Sequence, residues 1–166
     1  MDTLRDKNYL EECSQLCKKY NVLFICDEVQ TGIGRTGKML VSENINPDMV
    51  VLGKALSGGV YPVSAVLCND DIMLCIQPGE HGSTFGGNPL ACAVAKTALE
   101  VVIDENLSDN ANLMGNIYRK ELNKLNSSII KEIRGKGLLN AIEIRKTSSI
   151  SAWEICMLLK NKGLLA

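Results

Sequence analysis

Three short apolar runs constrain this chain more than any other feature. Val22 to Cys26 runs straight into Asp27-Glu28, Met49 to Leu52 runs into Gly53-Lys54, and Val63 to Leu67 forms the third. Short apolar runs without polar alternation suit strands covered on both faces, as in a mainly parallel sheet. Helical patterns surround them. Leu10, Cys13, Cys17 and Tyr20 recur at helical spacing over residues 8–20, with Lys18 and Lys19 in the last turn. Asp70 to Ile76 reads as a short helix, and Asn88-Pro89 opens a longer one that reaches about Ile103, with Asn as N-cap and Pro at the first helical position. Leu107, Ala111, Met114, Tyr118, Leu122 and Leu125 mark another. Lys131–Arg134 and Leu138–Ile144 read as strands around Gly135 and Gly137, and Ser151 to Lys160 as a last helix stopped by Gly163. Strands alternating with helices make the fold class α/β, with a boundary near residue 126.

Composition narrows the function classes. Of 166 residues, 46% are hydrophobic and 22% charged, the balance of a globular protein, and no apolar run approaches the length of a membrane helix. Eighteen basic against 19 acidic residues leave a net charge of −1, so no global field attracts nucleic acid or anionic lipid. Cysteine occurs seven times, an odd number without a C-x-x-C pair, which argues against zinc ligation and favours reduced thiols in an intracellular compartment. A single histidine, His81, excludes a multi-histidine metal site. The segment after Met1 mixes acidic and basic residues, unlike a targeting peptide.

Two of the strand candidates deliver chemistry at their ends. In open α/β sheets ligands bind beyond the carboxyl ends of the strands, so Asp27 and Lys54 are expected to face one crevice. An amine can serve there as covalent nucleophile while a carboxylate holds a heteroaromatic nitrogen protonated. The alternative is two ordinary polar residues where the chain leaves the core. Gly32, Gly34 and Gly37 in GIGRTG formally match a dinucleotide-binding loop, but the first glycine lies too far beyond the strand and no crossover helix follows. The loop from Gly79 to Pro89 offers glycines and the adjacent hydroxyls Ser83 and Thr84, the ingredients of a phosphate cradle, or else a plain surface loop capped by Asn88.

Taken together, DEVQTGIGRTGK (27–38), PDMVVLGKALSGGVYPVSAVL (47–67) and GEHGSTFGGNPLACAVA (79–95) resemble the class III, fold-type I pyridoxal-phosphate aminotransferases. KALSGGVYPVSAVL together with EIRGKGLLNAIEI (132–144) is most similar to the ornithine-type members of that class. The resemblance implies a cofactor, pyridoxal 5'-phosphate, and a role for each matched residue. Lys54 corresponds to the lysine that binds the cofactor covalently and then shuttles the substrate proton. Asp27 corresponds to the aspartate paired with the pyridinium nitrogen, and Gln30 to the residue on the phenolic oxygen. Ser83 and Thr84 correspond to the hydroxyl pair at the phosphate, the threonine reaching in from the neighbouring subunit of a homodimer. The implied reaction passes the δ-amino group of ornithine to 2-oxoglutarate, with acetylornithine and 4-aminobutyrate as alternative donors, in the mitochondrial matrix or the cytoplasm.

The resemblance also implies a division. Residues 1–126 would be the back of a cofactor-binding large domain, and residues 127–166 the start of an α+β small domain. The chain would then be a piece of a longer protein, inactive by itself. Further cofactor contacts would lie upstream and an arginine for the substrate carboxylate downstream. The sheet would lack strands, leaving exposed edges and apolar faces.

Overall fold

The computed structural model describes residues 8–146 and 149–166. The apolar runs form a three-stranded sheet of β1 (Ile25–Asp27), β2 (Met49–Leu52) and β3 (Ala65–Cys68), in that order. β1 and β2 are parallel, with Ile25 opposite Met49 and Asp27 opposite Val51, so both strands end on the same side. β3 lies antiparallel to β2, pairing Leu52 with Ala65 and Met49 with Cys68. The link between β2 and β3 holds a 3-10 turn, Lys54–Ser57, and no crossover helix, and without one a strand returns beside its neighbour in the opposite direction. The parallel arrangement expected from the apolar runs is therefore found at β1–β2 and not at β3.

β1 is also shorter than its apolar run. The Phe24 N–H donates to Asp48 Oδ2 at 2.7 Å and the Asp48 N–H to the Phe24 carbonyl at 2.9 Å, which takes residues 22–24 out of the strand.

The helices follow their patterns. α1 spans Tyr9–Lys19, α2 the single turn Asp70–Met73, α3 Pro89–Asp104, α4 Leu107–Asn123 and α5 Ala152–Asn161. Asn88 caps α3 by accepting from the Ala91 N–H at 2.9 Å, which satisfies an otherwise orphaned donor of the first turn. Between α4 and α5 the chain forms a hairpin of β4 (Ile130–Lys136) and β5 (Leu139–Ile144), a separate two-stranded sheet turned at Gly137.

Burial concentrates where β2 ends. Ile33, Leu52 and Leu56 form the buried cluster, and Ala95, Leu99 and Val102 of α3 pack onto it together with Val50 and Val63. α3 lies against the turn 54–57 and seats it, with Gly58 approaching so closely that a Cβ there would sit 3.2 Å from the Ala98 methyl. Elsewhere the apolar side chains are open. Ile25 and Val66 of the sheet and Leu158 of α5 are each more than half exposed, as are Val60, Phe85 and Trp153 in the connecting segments and helix start. The accessible surface is 12012 Å², against about 8,000 Å² for a folded monomer of this mass. The bare sheet faces expected from the sequence are thus present.

All seven cysteines are unpaired, and their burial differs: Cys26 is buried, whereas Cys75 and Cys92 are exposed. Cys92 lies on the first turns of α3, on a face that no described residue covers. Burial pushes the Cys26 thiol up, partly opposed by a hydrogen bond with Ser42. Among the described residues no helix is long and apolar enough to cross a membrane.

Candidate active site

The parallel register of β1 and β2 decides where the chemistry can gather. Asp27 is the last residue of β1, and Lys54 follows the end of β2 by two positions, so the two stand at the same edge of adjacent strands. Asp27 is exposed, and its Oδ1 accepts from the Val29 N–H at 3.0 Å, which turns the chain sharply as it leaves the sheet. Val29 then passes close to Gly53, where a Cβ would lie 3.3 Å from Val29 Cγ1, so a side chain at 53 would push the two strand ends apart.

That approach brings Gln30 to Lys54. The Lys54 ammonium donates to Gln30 Oε1. The backbone of Lys54 has φ +42°, a left-handed conformation that costs a non-glycine residue about 1–2 kcal/mol and persists only where the surroundings hold it. They do so here. The Ser57 hydroxyl donates to the Lys54 carbonyl at 3.0 Å and accepts from the Gly59 N–H at 3.1 Å, while Leu56 beneath the turn is buried.

Lys54 lines a cavity of about 480 Å³ with Ser57, Ser64, Ser83, Gly86 and Gly87 among its walls. The loop after α2 delivers Ser83, whose hydroxyl accepts from the Gly86 N–H at 2.9 Å and closes a tight turn ahead of α3. At Gly87, with φ +68°, a Cβ would meet nothing within 4 Å, so this wall is open backbone. Hydroxyls, glycine backbone and the start of a helix are what an anionic phosphate needs, and an amine at the same cavity suits an aldehyde. The residues present therefore fit a phosphorylated aldehyde cofactor.

The five residues singled out from the sequence are not all together. Lys54 touches Gln30 and shares a cavity with Ser83. Asp27 lines a different cavity, of about 690 Å³, bounded also by Tyr9 of α1 and Gly137 of the hairpin. Thr84 is exposed and lines neither cavity. Sequence reasoning missed Ser57 and Ser64, which lie within the 47–67 motif but carry no signal that sets them apart as site residues. It also missed the buried carboxylate of Glu28, whose only signal was its place after Asp27.

GIGRTG does not bind a dinucleotide in this fold. The N–H groups of Gly32, Ile33, Gly34, Arg35 and Gly37 donate to carbonyls of Glu28, Met39, Lys38, Gly32 and Gly34, leaving no amide cradle for a pyrophosphate. Its glycines serve packing instead. A Cβ at Gly37 would collide with Asn112 Oδ1 at 1.9 Å, and the Asn112 amide donates to the Gly37 carbonyl at 2.7 Å.

Comparison with known proteins agrees with this geometry. The model for the class III aminotransferase family matches residues 2–166, and the chain belongs to that family. Rat mitochondrial ornithine aminotransferase is 60% identical over 163 residues, which cover 97% of this chain and 37% of that protein. The crystal structure of acetylornithine aminotransferase from Elizabethkingia anophelis superposes with a TM-score of 0.88 at 59% identity, over 97% of this chain and 41% of that one. An ornithine aminotransferase structure from Toxoplasma gondii, with partial occupancy of pyridoxal phosphate at its active site, gives 0.89 at 48% identity over 96% of this chain and 38% of that one. The chain thus spans less than half the length of these relatives. The α/β, fold-type I reading of the sequence holds, as does membership of a pyridoxal-phosphate-dependent class.

Proposed function

We propose that the full-length protein is a pyridoxal-phosphate-dependent aminotransferase that moves the δ-amino group of ornithine to 2-oxoglutarate, yielding glutamate semialdehyde and glutamate. The observation that carries it is the Lys54–Gln30 contact at the mouth of the hydroxyl- and glycine-lined cavity. Bound there, pyridoxal phosphate supplies the electron sink that makes loss of a proton from the substrate carbon feasible.

The chain's own residues supply position and proton transfer. Lys54 would hold the cofactor through its amine, and the same amine would move the proton of the donor carbon. Gln30 accepts from the ammonium and aims it, and its amide N–H would be free to donate to the cofactor's phenolic oxygen. Asp27 turns one oxygen to the Val29 N–H, and its other oxygen has no protein donor among the described residues, which suits it to hold a pyridinium proton. Ser83 binds the phosphate from within the cavity. Thr84 lines no part of that cavity, and the resemblance gives it the phosphate site of a neighbouring subunit, which makes the active assembly at least a homodimer. The large-domain portion covers residues 1–126 and the small-domain portion 127–166. The rat relative's mitochondrial name favours the matrix over the cytoplasm.

Borohydride reduction of the full-length holoenzyme followed by peptide mapping tests the assignment. The phosphopyridoxyl group is expected on Lys54, and labelling of any other lysine overturns it. A second reading, acetylornithine as donor, is favoured by the 59% identity to the E. anophelis enzyme. Comparing kcat/KM for ornithine and N-acetylornithine separates the two.

A further inference from the structure

Glu28 lies between Asp27 and Gln30, and no part in the reaction falls to it, yet it is held more tightly than either neighbour. The residue is 3% exposed. Its Oε1 accepts from the Ser42 N–H and from the Ser42 hydroxyl, each at 2.8 Å, and its Oε2 accepts from the Thr31 hydroxyl at 2.6 Å. Its backbone is fixed as well. The N–H donates to the Val51 carbonyl of β2 at 2.9 Å, and the carbonyl accepts from the Gly32 N–H at 2.8 Å. Gly32 crosses so near that a Cβ on it would lie 2.9 Å from the Glu28 oxygen.

A carboxylate buried without a countercharge is costly unless donors converge on it, and here three do. An apolar anchor would fill the same space at less expense. What the carboxylate adds is direction: it ties Thr31, one residue after Gln30, to Ser42 at the far end of the loop, and Val51 ties the same residue to the strand that leads to Lys54. Gln30 sits inside that closed ring with its backbone fixed on both sides.

We propose that Glu28 is a positioning residue: by gathering Thr31 and Ser42 it sets the loop geometry that presents Gln30 and Asp27 to the cofactor. This rests on the reading above, in which Lys54 and Gln30 belong to the cofactor site.

The test uses the full-length apoenzyme and reads two quantities, the dissociation constant for pyridoxal phosphate and the melting temperature before the cofactor is added. Glu28→Ala and Gln30→Ala are each expected to weaken binding about tenfold, the loss of one charge-assisted or well-oriented hydrogen bond. The double variant is expected to be no weaker than Glu28→Ala alone, because both remove the same orientation. Glu28→Gln, whose amide can still accept from Ser42 and donate to the Thr31 hydroxyl, is expected to restore most of the affinity. Loss of apoenzyme stability with an unchanged constant overturns the proposal, as does a double variant about 100-fold weaker, the product of independent effects. Should Glu28→Ala not fold, Thr31→Val, which removes only the Oε2 contact, must still weaken binding; an unchanged constant then overturns it. If Gln30→Ala and Lys54→Ala themselves leave the constant unchanged, the site reading fails and this proposal falls with it.

Discussion

Gly37, Gly115 and Gly137 meet at one point, although they come from a loop, a helix and a hairpin turn. A Cβ on Gly115 would lie 1.8 Å from the Gly137 carbonyl oxygen, and one on Gly137 would lie 2.6 Å from the Gly37 nitrogen. The contact is sealed by polar groups: the Leu138 N–H donates to the Arg35 carbonyl at 2.9 Å, and Arg119 donates to the Gly137 carbonyl at 3.0 Å and to Asn140 Oδ1 at 2.6 Å. The obstructing atoms are backbone and cannot swing aside. Gly115→Ala is therefore expected to destabilise the full-length protein by about 1–3 kcal/mol, the usual cost of overpacking, read from urea midpoints; an unchanged midpoint would mean the helix and turn separate freely. At Gly37 the obstruction is the Asn112 side chain, which can shift, but a φ of +85° adds strain, and Gly37→Ala should also destabilise. Neither glycine's role was visible in the sequence. Glycine at 37 is legible as loop chemistry, but a helical glycine at 115 looks only like a weakness until its neighbour is known.

At the scale of elements, the legible parts are those governed by local chemistry. Asn88-Pro89 predicts the start of α3, and the cap is there; Asn88→Ala is expected to cost about 1 kcal/mol, measured by thermal unfolding, since it strands the Ala91 N–H. α5 begins with a capping box in which the Ser151 hydroxyl accepts from the Glu154 N–H at 3.2 Å and the Glu154 carboxylate accepts from the Ser151 N–H at 2.7 Å. It ends on Gly163 in a paired closure, Gly163 N–H to the Lys160 carbonyl and Leu164 N–H to the Leu159 carbonyl. The backbone and hydroxyl bonds from Ser151 hold the Glu154 carboxyl below the usual glutamate range. A lowered folded value means the cap's contribution is complete above the ordinary glutamate pKa and disappears as pH falls through the lowered one. Protection of the first-turn amides of α5, exchange corrected for the intrinsic rate, should consequently fall as pH drops below the ordinary glutamate range, and Glu154→Gln should remove that pH dependence. The strand ends were less legible. β1 starts at Ile25 because Asp48 captures Phe24, and β3 turns antiparallel because no crossover helix follows β2. Both outcomes depend on a distant partner or on what the intervening segment fails to form.

For the whole molecule, the buried cluster beneath the turn 54–57 is small compared with the apolar surface left open, which includes Ile25 on the sheet edge and Phe85 beside the cavity. Expressed as these 166 residues alone, the chain is expected to bind a hydrophobic dye and to self-associate, as seen in light scattering. A dye-silent, monodisperse monomer would contradict this. The sequence by itself determined the helix caps, the two parallel strand ends carrying Asp27 and Lys54, and the resemblance that joins Gln30, Ser83 and Thr84 to them. These follow from short-range rules, the chain's own periodicity and residue types matched in order. Only the tertiary structure decided that Gln30 meets Lys54, that Asp27 and Thr84 line other surfaces, and that the GIGRTG glycines, already unfit for a nucleotide by their spacing, form a packing joint. It also revealed Glu28 as the buried tie between them. Each of those facts depends on which groups become neighbours across the fold, and hydrogen-bond satisfaction and steric fit between distant segments select those neighbours.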